Sequence, residues 1–272
     1  MARPVAKCDI MEMMRKKILI LDGAMGTCIQ GYDLTPDDFL GGRGNNDILN
    51  LTREDVIASI HKAYIEAGAD IIETNTFSGN AISQKDYGME GRVGEINLKG
   101  AQIARKVADA AGRKVLVAGS MGPTVKSLSL SPNVNEPQYR DVTFQQMADA
   151  YKEQAQALLE GGVDLFLVET VYDALNAKAA LYAIREVAGE DFPVMVSATV
   201  NDRSGRILGG HQLDALYVAL SHYPIVSFGL NCSFGAKDLA PFIEQLQGLP
   251  CAISIYPNAG LPNEMGQYDE TP

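Results

Sequence analysis

The distribution of apolar residues constrains this chain more than any other feature. Short runs of Val, Ile, Leu and Phe, without alternation, are separated by longer stretches of helical period. The runs fall at 18–22, 70–74, 114–119, 164–169, 193–199, 225–231 and 251–256. A run that is apolar at successive positions suits a parallel strand covered on both faces. Between the runs, Val56, Ile57, Ile60, Ala63, Tyr64 and Ala67 form one helical stripe, for which Thr52 is the expected N-cap. Phe144, Met147, Ala148, Tyr151, Ala155, Leu158 and Leu159 form a second stripe behind Thr143. Further helices are expected at 91–111, 172–188, 212–221 and 238–247.

Regular alternation of β and α leaves an open doubly wound sheet or a (β/α)8 TIM barrel. In an open sheet, polar and glycine residues gather at one switch point. Here every run ends in such a cluster, as in Asp22-Gly23-Ala24-Met25-Gly26, Ser120-Met121-Gly122-Pro123, Glu169-Thr170 and Asn231-Cys232-Ser233. A ring of polar strand ends predicts the barrel. Seven strands are counted where the barrel needs eight, so the eighth βα unit is expected to be missing, leaving 1–272 as one C-terminally incomplete barrel domain.

The formal net charge of −11 and the lack of a basic cluster argue against nucleic acid and anionic membranes as partners. No apolar run approaches the roughly 20 residues that cross a bilayer, and 18–21 is too short for a signal-peptide core. A cytoplasmic protein is expected. The four cysteines lie far apart, which argues against a disulfide framework.

Several residues at strand ends could carry chemistry. Cys232 is either a small buried hydrophobe or a thiolate serving as nucleophile or zinc ligand. Of the three histidines, only His211 is placed to assist it. Asp22 and Glu169 close two strands and are expected to share one mouth. Each could instead pair with an arginine or cap a helix, but together they suit a substrate ammonium. Glu73 could do the same or be structural. No phosphate-binding glycine loop appears, and no lysine ends a strand, the nearest being Lys126 in a loop.

The segments Leu21-Asp22-Gly23-Ala24-Met25-Gly26-Thr27, Gly68-Ala69-Asp70-Ile71-Ile72-Glu73-Thr74-Asn75-Thr76-Phe77, Gly119-Ser120-Met121-Gly122-Pro123-Thr124, Leu167-Val168-Glu169-Thr170, Gly229-Leu230-Asn231-Cys232 and Tyr256-Pro257-Asn258-Ala259-Gly260 resemble, in order, those of the homocysteine S-methyltransferase family. The resemblance is closest to the N-terminal homocysteine-binding modules of cobalamin-dependent methionine synthases. It implies a TIM barrel holding Zn2+ through three cysteine thiolates, of which Cys232 matches the first. Asp22 and Glu169, with the backbone at Gly23, match the residues that hold the homocysteine amino group. Asn258 matches a residue able to occupy the metal's fourth position until the substrate thiol arrives. Zinc would deprotonate that thiol at neutral pH, ready to accept a methyl group. The implied donor is methylcobalamin, carried with folate on other domains or subunits. Two further family cysteines, in a Gly-Gly-Cys-Cys-Gly segment at the eighth strand, have no match here. The alternatives are a stand-alone methyltransferase using S-methylmethionine or betaine, and a catalytically incomplete homocysteine-binding fragment.

Overall fold

The computed structural model describes residues 7–260 and Thr271. Six parallel strands form one sheet: β1 Ile71–Glu73, β2 Leu116–Met121, β3 Leu165–Val171, β4 Val194–Ala198, β5 Ser227–Gly235 and β6 Ala252–Asn258. Each strand pairs with the next in sequence, so the order β1-β2-β3-β4-β5-β6 has no reversal. Without a reversal there is no switch point, which removes the doubly wound alternative. Leu21 and Glu73 from one end of the sheet and Ser254 and Tyr256 from the other line a single cleft with Leu167, Glu169, Ser197 and Asn231. The sheet therefore curls into part of a TIM barrel, and an eight-unit barrel is not seen among the described residues.

Alternation along the strands sends side chains to two different layers. Ile72, Val117, Phe166, Val168, Val194, Val196 and Phe228 join the large cluster beneath the surrounding helices. Ile71, Leu116, Ala118, Leu165, Leu167, Met195 and Val226 pack on the opposite face around Ile10. Ile10 belongs to the helix Lys7–Lys16, which the apolar pattern did not announce, and it is fully buried. This helix closes the amino-terminal end of the curled sheet.

The expected first strand, 18–22, is reduced to one bridge, Leu21 with Ile71. Asp70 and Ile71 donate to the Ile20 carbonyl at 2.7 and 3.1 Å, and Asp22 N donates to Ile71 O at 2.9 Å. No described residue pairs with its other edge, and Ile18 is 85% exposed, so the run lies at the rim of the sheet with only its last residues bonded to β1. Between this segment and β6 lies a groove of about 450 Å³, lined by Ile18, Leu19, Ile20, Ile253, Ile255 and others. The hydroxyls of Ser227 and Ser254, which also line it, are buried without hydrogen-bond partners among the described residues.

The long helices begin and end where local chemistry requires. Thr143 caps Phe144–Gly161 in a capping box with Gln146, and Gly162 ends that helix at φ +95°. Asp173 caps Ala174–Ala188 by accepting from Leu175 N and Asn176 N. Thr52 does not cap the helix Glu54–Ala67. It closes the short helix Leu49–Thr52 and donates its hydroxyl to the Asp38 and Ile48 carbonyls, so Arg53 stands at the N-cap instead. No helix among the described residues is long and apolar enough to cross a membrane.

Candidate functional site

The site is built at the carboxyl ends of the strands. Asp22, 6% exposed, follows the bridge to β1 and accepts from the backbone amide of Glu73 through Oδ2 at 2.9 Å. Its Oδ1 is buried and has no hydrogen-bond partner among the described residues. Glu169, 8% exposed, lies on β3 and accepts from the Ser120 hydroxyl of β2 through Oε1. Glu73 ends β1 and lines the same cleft as Glu169. Neither Asp22 nor Glu169 takes the structural roles open to it. No ion pair among the described residues reaches them, and the helix Met25–Gln30 after Asp22 has no side-chain cap.

Three carboxyls brought together out of water perturb one another. Burial raises Asp22 above the ordinary range, with the Glu73 amide opposing and the Glu169 charge adding to the rise. Burial also raises Glu73 strongly, reinforced by Glu169, Asp22 and Cys232. Glu169 is raised by burial and pulled back by the Ser120 hydroxyl. A fourth carboxyl, Asp47, sits in the short helix Asn46–Ile48 and is raised by burial to about 7, with the Ser78 amide opposing and Glu169 contributing. The hydroxyls of Tyr64 and Tyr256 are raised by burial, and the same carboxylates add to the shift. Burial and mutual repulsion thus favour the protonated form of these carboxyls.

Gly23 follows Asp22 and admits no side chain, because a Cβ there would run into the Tyr64 ring. The Tyr64 ring therefore packs directly on the Gly23 backbone beside the Asp22 carboxyl.

Cys232 sits where β5 departs from regular pairing, between Asn231 and Gly235. Cys232 and Ser233 adopt left-handed φ of 59° and 65°, as does Thr170 (57°), which follows Glu169. Such backbone costs about 1 kcal/mol or more per residue and persists only when its surroundings hold it. The Asn231 side chain does so with every hydrogen-bonding position it has. Its Oδ1 accepts from Thr170 N (3.0 Å) and Ser197 Oγ (2.7 Å), and its Nδ2 donates to Thr170 Oγ1 (2.8 Å) and Cys232 Sγ (3.1 Å). Cys232 is open to solvent, yet partial desolvation raises its thiol, with the Asn231 amide opposing and Glu169 adding to the rise.

Asn258 ends β6 and pairs with Gly235 beyond the bulge, so Cys232 and Asn258 occupy neighbouring strand ends. Cys251 stands before the start of β6, at the other end of the sheet. Cys28 contacts the Tyr64 hydroxyl at 3.3 Å. Among the described residues, no group of three or more His, Cys, Asp and Glu side chains could hold a metal ion. A catalytic zinc takes three protein ligands, so one thiol and one amide do not complete the set.

His211, the expected partner of Cys232, is placed elsewhere. It lines a separate open recess with Arg206, Gly209, Gly210, Gln212 and Ala215, and no hydrogen bond joins it to Cys232. The loop from 200 to 212 folds back on itself through the Arg206–Gln212 bridge, which carries His211 with it. Lys126 pairs with Asp141 at 2.6 Å outside the sheet. Sequence reasoning missed Ser120, Asn231, Asp47 and the two tyrosines. Ser120 and Asn231 lay inside the polar strand-end clusters, which was the available signal, but the direction of each side chain was not written there.

The fold and site are those of a parallel βα protein with clustered buried carboxyls beside a thiol. A family model for homocysteine S-methyltransferases matches residues 19–272, and the chain belongs to that family. Crystal structures of the homocysteine methyltransferase MmuM from Escherichia coli share its fold. The metallated form is 23% identical with a TM-score of 0.74, covering 92% of this chain and 86% of that one. The oxidised form is also 23% identical at 0.74, covering 90% and 84%. The apo form is 22% identical at 0.68, again covering 90% and 84%.

Proposed function

We propose that this chain binds homocysteine and presents its thiol for methylation to methionine. The observation that carries this reading is a set of buried carboxyls that have no basic partner among the described residues, beside Cys232. In this reading the ammonium of homocysteine meets the unpartnered Asp22 Oδ1 and the second oxygen of Glu169, with the Gly23 backbone alongside. Each charge-assisted hydrogen bond of this kind is worth about 1.5–3 kcal/mol. Cys232 and Asn258 are the candidates for holding zinc. The three-thiolate set that the resemblance implies would need two further cysteines. Cys232 and Asn258 alone do not complete a zinc site. Methylcobalamin is the proposed donor, delivered by cobalamin- and folate-binding domains or subunits.

Metal analysis and calorimetry on the 272-residue chain test this. Homocysteine binding that is lost in both Asp22→Asn and Glu169→Gln supports the reading, and unchanged binding in both removes the ammonium assignment. About one tightly held zinc per chain would show that unrecognised ligands complete the site. Methyl transfer from S-methylmethionine or betaine, and none from methylcobalamin, would replace the proposed donor.

A further inference from the structure

Ser120 stands apart from the other polar residues of the site because every polar atom it has is engaged. It is 2% exposed on β2, opposite Leu167 of β3, so its side chain shares a face with Leu167 and Glu169. Its amide donates to Thr74 Oγ1 at 3.0 Å. Its carbonyl accepts from Thr76 Oγ1 at 2.8 Å and from Gln154 Nε2 at 3.4 Å. Gln154, fully buried on the helix Phe144–Gly161, also donates to the Thr76 carbonyl at 2.8 Å. The single hydroxyl proton of Ser120 goes to Glu169 Oε1.

We infer that Ser120 is a positioning residue: its hydroxyl, fixed by a buried network from the outer helix, holds one oxygen of Glu169 so that the other faces the substrate ammonium. This rests on the homocysteine reading above and adds a residue to it. A glutamate has three side-chain torsions, and immobilising such a side chain on binding carries an entropic cost. Ser120 meets that cost during folding, before any ligand arrives. Glu169 depends on it because no other hydrogen-bond donor to its carboxylate is present among the described residues. The pinned backbone gives the hydroxyl a rigid post, so a ligand cannot be accommodated by moving β2.

The test compares homocysteine with 4-mercaptobutanoate, which is the same molecule without its amino group. Both are titrated calorimetrically into the wild-type chain, Ser120→Ala and Ser120→Thr. The wild type should prefer homocysteine. Ser120→Ala should lose about tenfold in homocysteine affinity, equivalent to about 1.4 kcal/mol, while its affinity for 4-mercaptobutanoate stays the same. Ser120→Thr keeps the hydroxyl and should restore the preference. A wild type that discriminates, with a Ser120→Ala variant that discriminates as strongly, overturns the role of Ser120 alone. Equal weakening of both ligands in Ser120→Ala overturns it too, by showing a general structural defect. A wild type that binds both ligands alike overturns the ammonium reading and this inference with it.

Discussion

Replacing Asp47 by asparagine should make the chain more stable at neutral and alkaline pH, by an amount that grows with pH. Asp47 is 4% exposed, and its one recorded hydrogen bond is from Ser78 N to Oδ1 at 3.2 Å. Burial raises it from 3.8 to about 7. In the unfolded chain the carboxyl ionises near 3.8, whereas in the folded chain it keeps its proton until about 7. The folded state is therefore favoured fully below about 4, and the advantage is lost as pH rises to about 7. At about 1.36 kcal/mol per tenfold in proton affinity, the loss amounts to about 4 kcal/mol by about pH 8. An asparagine side chain at this position would keep the acceptor for Ser78 and remove the ionisation. Urea unfolding of both proteins at about pH 4.5, 6 and 8 reads the difference directly. The stability gap should be small at the acid end and widen to several kcal/mol at the alkaline end. A gap that stays constant across this range would refute the argument, because it would mean that Asp47 ionises alike in both states.

Three other substitutions probe the site and its frame. In methyl-transfer assays on active enzyme, Cys232→Ala should abolish turnover, and retained turnover would remove Cys232 from the metal set. Glu169→Gln should raise the KM for homocysteine roughly tenfold or more with little change in kcat, since loss of a charge-assisted contact costs about 1.5–3 kcal/mol; a fall in kcat alone would place Glu169 in the chemistry. Gly229→Ala should break the pairing of β5 with β6, because a Cβ at Gly229 would collide with the Ser254 carbonyl; a chain that melts as the wild type does would contradict the observed register.

What the sequence showed and what it hid follow from one physical difference. Burial on two faces writes itself into composition, so the runs that became β1 to β6 were legible, as were the Thr143 cap and the barrel-like winding. Strand ends were less legible. β3 extends to Val171, β5 to Gly235 and β6 to Asn258, because hydrogen bonding to a neighbour continues after the apolar pattern has stopped. The 18–22 run failed in the opposite way: its composition is that of a strand, but it meets the sheet through a single bridge, Leu21 with Ile71, and apolar composition does not record how far pairing runs.

The site shows the same limit in sharper form. Asp22, Glu169 and Cys232 stand out in the sequence because each ends an apolar run with a chemically conspicuous group. Asn231 and Ser120 are inconspicuous, and their importance lies entirely in what they touch across the sheet. Asn231 joins Thr170 of β3, Ser197 of β4 and Cys232 of β5, residues separated from it by up to 61 positions in the chain. No local pattern records such a contact. The left-handed Thr170 and Cys232 make the same point in energy, since β-branched and thiol side chains gain nothing from that backbone. The carboxyl and thiol groups of the candidate site are therefore readable one at a time, whereas the residues that hydrogen-bond them become visible only when the strands are side by side.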